Sequence, residues 1–179
     1  MMIFTFSELF EAIIVSVFVA FITQDLFMPR GFYPLRYSRE LQRIAFKNAL
    51  LFVSPAIILH EFGHKLMALA FGYSATFHAA FLWLFLATLL KLAGFPFIIF
   101  VPAYVSTNAT GIAEFFVAIA GPGVNLILFL LTPILARILP SRYWHYFAYI
   151  NWFLFIFNML PIPGFDGFHA LVSLLSVLF

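Results

Sequence analysis

Long apolar runs interrupted by very few charges constrain the fold of this chain more than any other feature. Hydrophobic residues make up 65% of its 179 residues, and charged residues only 9%. A soluble domain carries about a quarter charged residues, because it must present a wettable surface. This chain cannot cover itself in that way, and we therefore expect lipid to surround most of it.

The composition also limits which partners and sites are possible. The formal net charge of +2 is small, so nucleic acid is not an expected partner. The chain has no cysteine, which excludes a disulfide framework and a thiolate metal site. A metal ion would have to be held by His, Asp or Glu, and ionisable residues inside apolar runs are the first candidates for function.

A helix that crosses the hydrocarbon core needs about 20 mostly apolar residues. The chain is therefore predicted to be an all-α polytopic membrane protein, a single embedded domain over residues 1–179. We expect a bundle of about four to six transmembrane or partial helices, with a possible small membrane-associated β element. The first helix is expected to be retained and not cleaved as a signal peptide, because Glu8 and Glu11 stand where a basic region would be. The predicted apolar helices cover 9–28, 48–73, 111–139, 143–160 and 168–179, with a shorter apolar stretch at 79–90.

Prolines and glycines predict where these helices bend or break. Pro55 should bend the second run about one turn before His60. The Gly-Pro-Gly sequence at 121–123 should interrupt the third run, and the prolines at 161 and 163 should end the helix before them. Residues 95–106 are rich in Phe, Ile and Val and contain two prolines, which is typical of an extended edge segment.

The sequence His60-Glu61-Phe62-Gly63-His64 matches the H-E-x-x-H pattern. Positions four apart lie on one face of a helix, so both imidazoles can bind one zinc ion while Glu61 reaches the water beside it. A pattern this short also occurs by chance, and two histidines can simply form hydrogen bonds within a core. Because these residues lie in an apolar run, where each is costly without a partner, metal binding is the favoured interpretation.

Zinc usually takes three protein ligands, so a carboxylate must come from elsewhere in the chain. Asp166 is the favoured candidate, because it follows two prolines and Gly164 that break the last apolar run. Glu114 is the alternative, although its place at the start of a helix is explained by the helix dipole alone. The remaining acidic residues lie near span ends or in the basic segment: Glu8, Glu11, Asp25 and Glu40.

Three separated motifs together resemble the site-2 protease family of intramembrane zinc metalloproteases, in a minimal form without a PDZ or regulatory domain. Residues 60–64 match its H-E-x-x-H motif, and residues 121–125 (GPGVN) resemble its G-P-x-x-N motif. Residues 158–167 (NMLPIPGFDG) resemble its N-x-x-P-x-P-x-x-D-G motif. The motifs occur in the family's order and cover about residues 50–170.

The resemblance implies a zinc endopeptidase that hydrolyses a peptide bond in the transmembrane segment of a substrate protein. His60, His64 and Asp166 would bind a single Zn²⁺ ion per chain, and Glu61 would be the general base. A catalytically inactive homologue or a membrane metal-binding protein is the alternative, against which the presence of Glu61 argues.

The resemblance assigns further roles around the site. Asn158 would contact the substrate backbone or stabilise the oxyanion, and Asn125 would be a secondary polar group on the substrate side. For both residues, an ordinary hydrogen bond between helices is the competing interpretation. The extended segment at 95–106 could receive an unwound substrate by β-augmentation.

The expected setting is a multi-pass integral membrane protein in the cell membrane of a prokaryote, with the lipid bilayer and a transmembrane substrate protein as partners. Two rules give opposite orientations. The positive-inside rule places the basic stretch at 30–47 in the cytosol. The resemblance instead places the C-terminal end of the H-E-x-x-H helix there, with the basic stretch outside.

Overall fold

The structure is a computed structural model, and it describes residues 3–28, 38–95, 101–139 and 141–179. Within these residues the chain forms a helical bundle with one small sheet, which confirms the predicted fold class. The helices are α1 Phe6–Thr23, α2 Arg39–Phe52, α3 Ser54–Ala70, α4 Phe81–Leu92, α5 Gly111–Ile138, α6 Trp144–Asn158 and α7 Asp166–Leu178. A single 3₁₀ turn, Gln24–Phe27, extends α1, and the strands are β1 Ala75–Ala79 and β2 Ala103–Thr107.

Three helical segments of the described residues are long and apolar enough to cross a membrane. They are Phe6–Phe27, Arg39–Ala70 and Gly111–Ile138, with 22, 32 and 28 residues. At a rise of about 1.5 Å per residue, each exceeds the hydrocarbon thickness of about 30 Å. The helices α4 and α7 are apolar but shorter. The chain is therefore an integral membrane protein.

Small residues fill the inside of the bundle, and large apolar residues cover its outside. Buried positions include Ala12, Ala20, Ala45, Ala49 and Ala56. Many Phe, Leu and Ile side chains are instead exposed on the helix surfaces. Lipid tails are as apolar as leucine, so helix association in a membrane depends on close backbone approach between small residues. This distribution fits a surface that contacts lipid.

Two of the predicted helix breaks are present and one is absent. The second apolar run divides at Val53, and α3 begins with Ser54 and Pro55, in the first turn where proline is tolerated. The run before Asp166 ends at Asn158 as expected. The predicted interruption at 121–123 is wrong, because α5 continues through Pro122. In membrane helices the backbone group freed by a proline can be satisfied by neighbouring groups or local adjustment.

The sheet pairs β1 with β2 in antiparallel orientation, and Phe77 lies opposite Val105. The strand β2 confirms the C-terminal part of the extended segment predicted at 95–106, whereas residues 96–100 lie outside the described residues. The strand β1 was not predicted. Its Phe77 and Ala79 amides donate to carboxylates of α1, so α1 covers the edge of β1 that faces away from β2.

Candidate metal centre

The helix α3 presents both histidines of the H-E-x-x-H motif to α5. The side chains of His60 and His64 are buried, with 6% and 7% of their surface exposed. The two helices cross closely at Gly63, where a Cβ atom would lie only 2.8 Å from Val124 Cγ2 and 2.9 Å from the Ala120 carbonyl oxygen. Glycine at this position therefore allows the approach that brings the imidazoles against α5.

Asp166 is the first residue of α7 and completes the cluster. Its Oδ2 atom lies 3.1 Å from His60 Nε2 and 3.4 Å from His64 Nε2. The loop before α7 is packed so tightly that a Cβ atom at Gly167 would overlap the carbonyl group of Met159. The structure thus places the three predicted ligands together, although His64 and Asp166 are 102 positions apart in the sequence.

The hydrogen bonds behind the two imidazoles fix which ring nitrogen faces the cluster. His60 Nδ1 lies 2.6 Å from Asn125 Oδ1, and His64 Nδ1 lies 2.7 Å from the Val117 carbonyl oxygen. Both partners are acceptors, so in the neutral rings the Nδ1 atoms carry the protons and donate them. Both Nε2 atoms then present lone pairs toward each other, 3.1 Å apart, and toward Asp166.

Three acceptors that face one another need a cation between them. Asp166 Oδ2 is buried and has no hydrogen-bond partner among the described residues. Zinc ligands about 2.0–2.1 Å from a tetrahedrally bound ion lie about 3.3 Å from each other. The three observed separations, 3.1, 3.1 and 3.4 Å, match this spacing. The nitrogen and oxygen donor set therefore fits zinc.

A chain of amide groups supports His60 from behind. The side-chain nitrogen of Asn125 donates to the Ala56 carbonyl oxygen and to Asn151 Oδ1, both at 2.9 Å, and Asn151 donates to the Phe147 carbonyl oxygen. These donor bonds fix the orientation of the Asn125 amide, so that its oxygen points at His60. Asn125 and Asn151 are completely buried. Partners of this kind orient a metal-binding histidine and raise its basicity.

This packing bears on the role expected for Asn125. A contact with substrate stays a prediction, while the observed hydrogen bonds favour a role in orienting His60. Asn151 was not predicted from the sequence to belong to the site. Its signal was a single amide side chain in an otherwise apolar helix, where an unpartnered polar group is costly.

Gly121 forms the wall of the cluster on α5. A Cβ atom there would lie 2.8 Å from His60 Nε2 and would overlap the imidazole of His64. At Gly123, two residues later, a Cβ atom would meet nothing within 4 Å. Of these two glycines, only Gly121 is required by the space that the imidazoles occupy.

Glu61 directly follows His60 on α3 and lies beside the cluster. Its side chain is buried, with 9% of its surface exposed. Asn158 is the last residue of α6, where its amide donates to the Leu154 carbonyl oxygen at 3.0 Å. No hydrogen bond among the described residues joins Asn158 to the cluster. Its predicted contact with substrate or oxyanion stays a prediction.

Three other acidic residues of the chain lie outside the metal cluster. Glu8 forms a buried ion pair with Lys65, and Asp25 pairs with Lys91 at 2.6 Å. Glu114 lies in the first turn of α5, at the positive end of the helix dipole. The metal-binding group formed by the described residues includes Asp166 and none of these three.

Comparisons with known proteins agree with this site. The profile of peptidase family M50 matches residues 132–179, which include Asp166. A Methanocaldococcus jannaschii protein, provisionally named a zinc metalloprotease, is 33% identical over 137 residues, which cover 69% of each chain. A Synechocystis protein with the same provisional name is 29% identical over 170 residues, and the match covers 86% of this chain and 41% of that protein. No solved structure gives a significant match.

The archaeal relative is similar over more than two thirds of its own length, and the family profile covers the segment that supplies the carboxylate. The motif order and the convergence of His60, His64 and Asp166 agree with both findings. The chain therefore belongs to peptidase family M50, the site-2 protease family.

Proposed function

We propose that this protein is a zinc endopeptidase that hydrolyses a peptide bond within the transmembrane segment of a substrate protein. The observation that carries the proposal is the cluster of three buried acceptors, His60 Nε2, His64 Nε2 and Asp166 Oδ2, with Glu61 beside it. One Zn²⁺ ion per chain would be held by these three residues. A bound zinc ion supplies a Lewis acid that activates water and polarises the carbonyl of the scissile bond.

Glu61 is proposed to transfer the protons of the reaction. Its carboxylate accepts a proton from the attacking water as the new C–O bond forms at the scissile carbonyl carbon. It then donates that proton to the leaving amine as the C–N bond breaks, so that Glu61 ends in its initial state. Asn158, at the end of α6, is proposed to donate its amide to the oxygen that gains negative charge.

The setting of the site supports a substrate that lies in the membrane. The histidines belong to the apolar segment Arg39–Ala70, and large apolar side chains cover the outside of the bundle. Relatives from Methanocaldococcus jannaschii and Synechocystis support a prokaryotic source, and three helical segments long enough to cross a membrane support a multi-pass protein of its cell membrane. A transmembrane substrate helix would have to unwind before its backbone could reach Glu61, because a helical backbone already satisfies its own polar groups.

The sheet offers a place where an unwound substrate could bind. One edge of β1 is covered, because Phe77 and Ala79 donate to carboxylates of α1 and the Ala75 carbonyl oxygen accepts from Lys65. The other edge of β1 pairs with β2. An added strand would therefore have to pair with the outer edge of β2, and we propose that the substrate binds there by β-augmentation.

The experiment that tests this function measures zinc content and cleavage of a transmembrane peptide in proteoliposomes for matched variants. Glu61→Gln should keep zinc and lose about 10²- to 10⁴-fold in cleavage rate, because the proton acceptor is gone. Asp166→Ala should lose both zinc and cleavage. Glu114→Gln is the control and should keep both.

Two outcomes of this experiment would contradict the proposal, one for the ligand assignment and one for the proteolytic function. Zinc at full occupancy in Asp166→Ala would refute the ligand assignment. A wild-type protein that binds zinc but cleaves no transmembrane peptide, under conditions where a positive-control protease cleaves it, would favour an inactive or metal-binding homologue.

A further inference from the structure

One face of α2 carries three basic residues at intervals of four positions. None of them belongs to the metal cluster. Positions three, four, seven and eight apart lie on the same side of a helix. This face turns toward the end of α1, where Phe21 and Gln24 form the opposite wall of an open groove of about 640 Å³. The α2 residues that line the groove are Arg39, Gln42, Arg43, Phe46, Lys47 and Leu50.

The positive charges of this groove are not neutralised within the described residues. All seven acidic residues of the chain lie in the described ranges, yet none forms a salt bridge with Arg39, Arg43 or Lys47. The nearest in sequence, Glu40, is exposed and does not line the groove, and Asp25 is paired with Lys91. The groove therefore presents three cations to an anion that the chain does not supply.

The groove is also apolar in part, which restricts the kind of anion that fits. Phe21, Phe46 and Leu50 line it together with the basic side chains. On another side of α2, Leu41, Ile44 and Leu51 are exposed, which indicates that lipid surrounds this helix. A ligand with a negative head and apolar chains matches both parts of the groove.

The depth of the groove in the membrane supports the same ligand. Gln24 belongs to the last turn of the span Phe6–Phe27, and Arg39 begins the span Arg39–Ala70. The groove therefore joins the ends of two spans, at the level where lipid headgroups lie. Basic pockets between membrane helices at this level bind the headgroups of anionic lipids. One guanidinium group can donate two parallel hydrogen bonds to two oxygens of a phosphate.

We propose that this groove is a binding site for an anionic phospholipid, with the lipid phosphate between Arg39, Arg43 and Lys47 and an acyl chain along Phe21, Phe46 and Leu50. Inorganic phosphate shares the phosphate chemistry but cannot use the apolar surface. The proposal does not depend on the proteolytic function, since no groove residue belongs to the metal cluster.

The test uses the full-length protein in detergent micelles and counts bound lipids by native mass spectrometry. The probes are phosphatidylglycerol and phosphatidylcholine with identical acyl chains, each with and without millimolar inorganic phosphate. Phosphatidylglycerol should bind at least tenfold more tightly than phosphatidylcholine. The double variant Arg39→Gln/Arg43→Gln should weaken phosphatidylglycerol binding about 25-fold, from about fivefold per basic residue.

The control is Arg137→Gln/Arg142→Gln, which also removes two positive charges, one from the last turn of α5 and one shortly before α6. It should leave phosphatidylglycerol binding within twofold of the wild type. Equal losses in both variants would mean that overall charge, and not this groove, attracts the lipid. Inorganic phosphate that displaces the lipid fully at millimolar concentration would show that phosphate alone is recognised. Either result overturns the proposal.

Discussion

Two buried polar clusters lie on helix α3, side by side, and they differ in how their polar groups are satisfied. In the first, which we call the closed cluster, the Glu8 carboxylate accepts hydrogen bonds from Lys65 and from the backbone amides of Thr5 and Phe77. Lys65 also donates to the Ala75 carbonyl oxygen at 3.0 Å. The closed cluster contains both donors and acceptors, and its charges cancel.

The second, which we call the open cluster, consists of His60, His64 and Asp166 and contains acceptors only. His64 directly precedes Lys65 in the sequence, so neighbouring residues of one helix serve the two clusters. In the open cluster the donors of both imidazoles point away, toward Asn125 and the Val117 carbonyl.

The difference shows how burial can be interpreted in an apolar chain. Buried charges that satisfy one another join parts of the fold, and here they join α1, α3 and β1. Buried acceptors that face one another without a donor indicate a site that binds a cation, because such groups are costly to leave unsatisfied. Burial alone does not distinguish a structural cluster from a metal site, whereas the balance of donors and acceptors does.

The largest effect is expected when the closed cluster is broken on one side. Lys65→Met leaves Glu8 buried without its partner, which should reduce the free energy of unfolding by about 3–5 kcal/mol. The measurement is reversible unfolding in detergent. The double variant Glu8→Gln/Lys65→Met should recover much of the loss, because a neutral amide can still accept the bond from the Phe77 amide. A double variant no more stable than the single one would show that the closed cluster is not held by its ion pair.

The second-largest effect is expected when a methyl group is added in the space that the open cluster occupies. Gly121→Ala would push a methyl group against both imidazoles, and overpacking of this kind costs about 1–3 kcal/mol. Zinc affinity, measured by competition with a chelator, should fall about 100-fold. Gly123→Ala is the matched control, since nothing lies within 4 Å of its Cβ position, and its zinc affinity should stay unchanged. Equal affinities in the two variants would contradict the position given to the imidazoles.

The third effect is expected when the hydrogen bond that orients His60 in the open cluster is removed. Asn125→Ala removes the partner of His60 Nδ1 and should lower zinc affinity about tenfold, at the lower end of the usual range because His64 keeps its own partner. Asn158→Ala is the comparison. It should keep zinc affinity and lower the cleavage rate, as expected of a residue that acts on substrate. Loss of zinc in Asn158→Ala, with normal affinity in Asn125→Ala, would exchange the two roles.

The sequence was sufficient to predict the open cluster but not the closed one, and the reason is physical. Metal chemistry restricts residue types and spacing, so His60 and His64 had to be four apart on a helix, and few carboxylates could serve as the third ligand. The pairing of Glu8 with Lys65 joins residues 57 apart and follows only from the packing of α1 on α3. Ionisable residues within apolar runs usually pair with one another, and this tendency favours the pairing of Glu8 with Lys65.

Two features of the fold also do not follow from the sequence. The strand β1 is five residues long, and its alternation of buried and exposed residues is too short to separate from a loop. The continuity of α5 through Pro122 does not follow from the sequence, because proline breaks helices more readily in water than in a membrane bundle, where neighbouring groups can satisfy the freed backbone carbonyl.

The smallest effect is expected when a single hydrogen bond between helices is removed outside the two clusters. Ser54 lies at the start of α3 and donates across to the Ser16 carbonyl oxygen of α1 at 2.9 Å. Hydrogen bonds between membrane helices contribute about 0.6 kcal/mol on average, because the unfolded chain in the membrane also finds partners. Ser54→Ala should therefore reduce the free energy of unfolding by about 0.6 kcal/mol in the assay used for Lys65→Met. Ser176→Ala, whose hydroxyl bonds within its own helix, is the control and should change it less. A loss for Ser54→Ala as large as that for Lys65→Met would mean that any contact between α1 and α3 is equally important, and that the closed cluster has no special role in joining them.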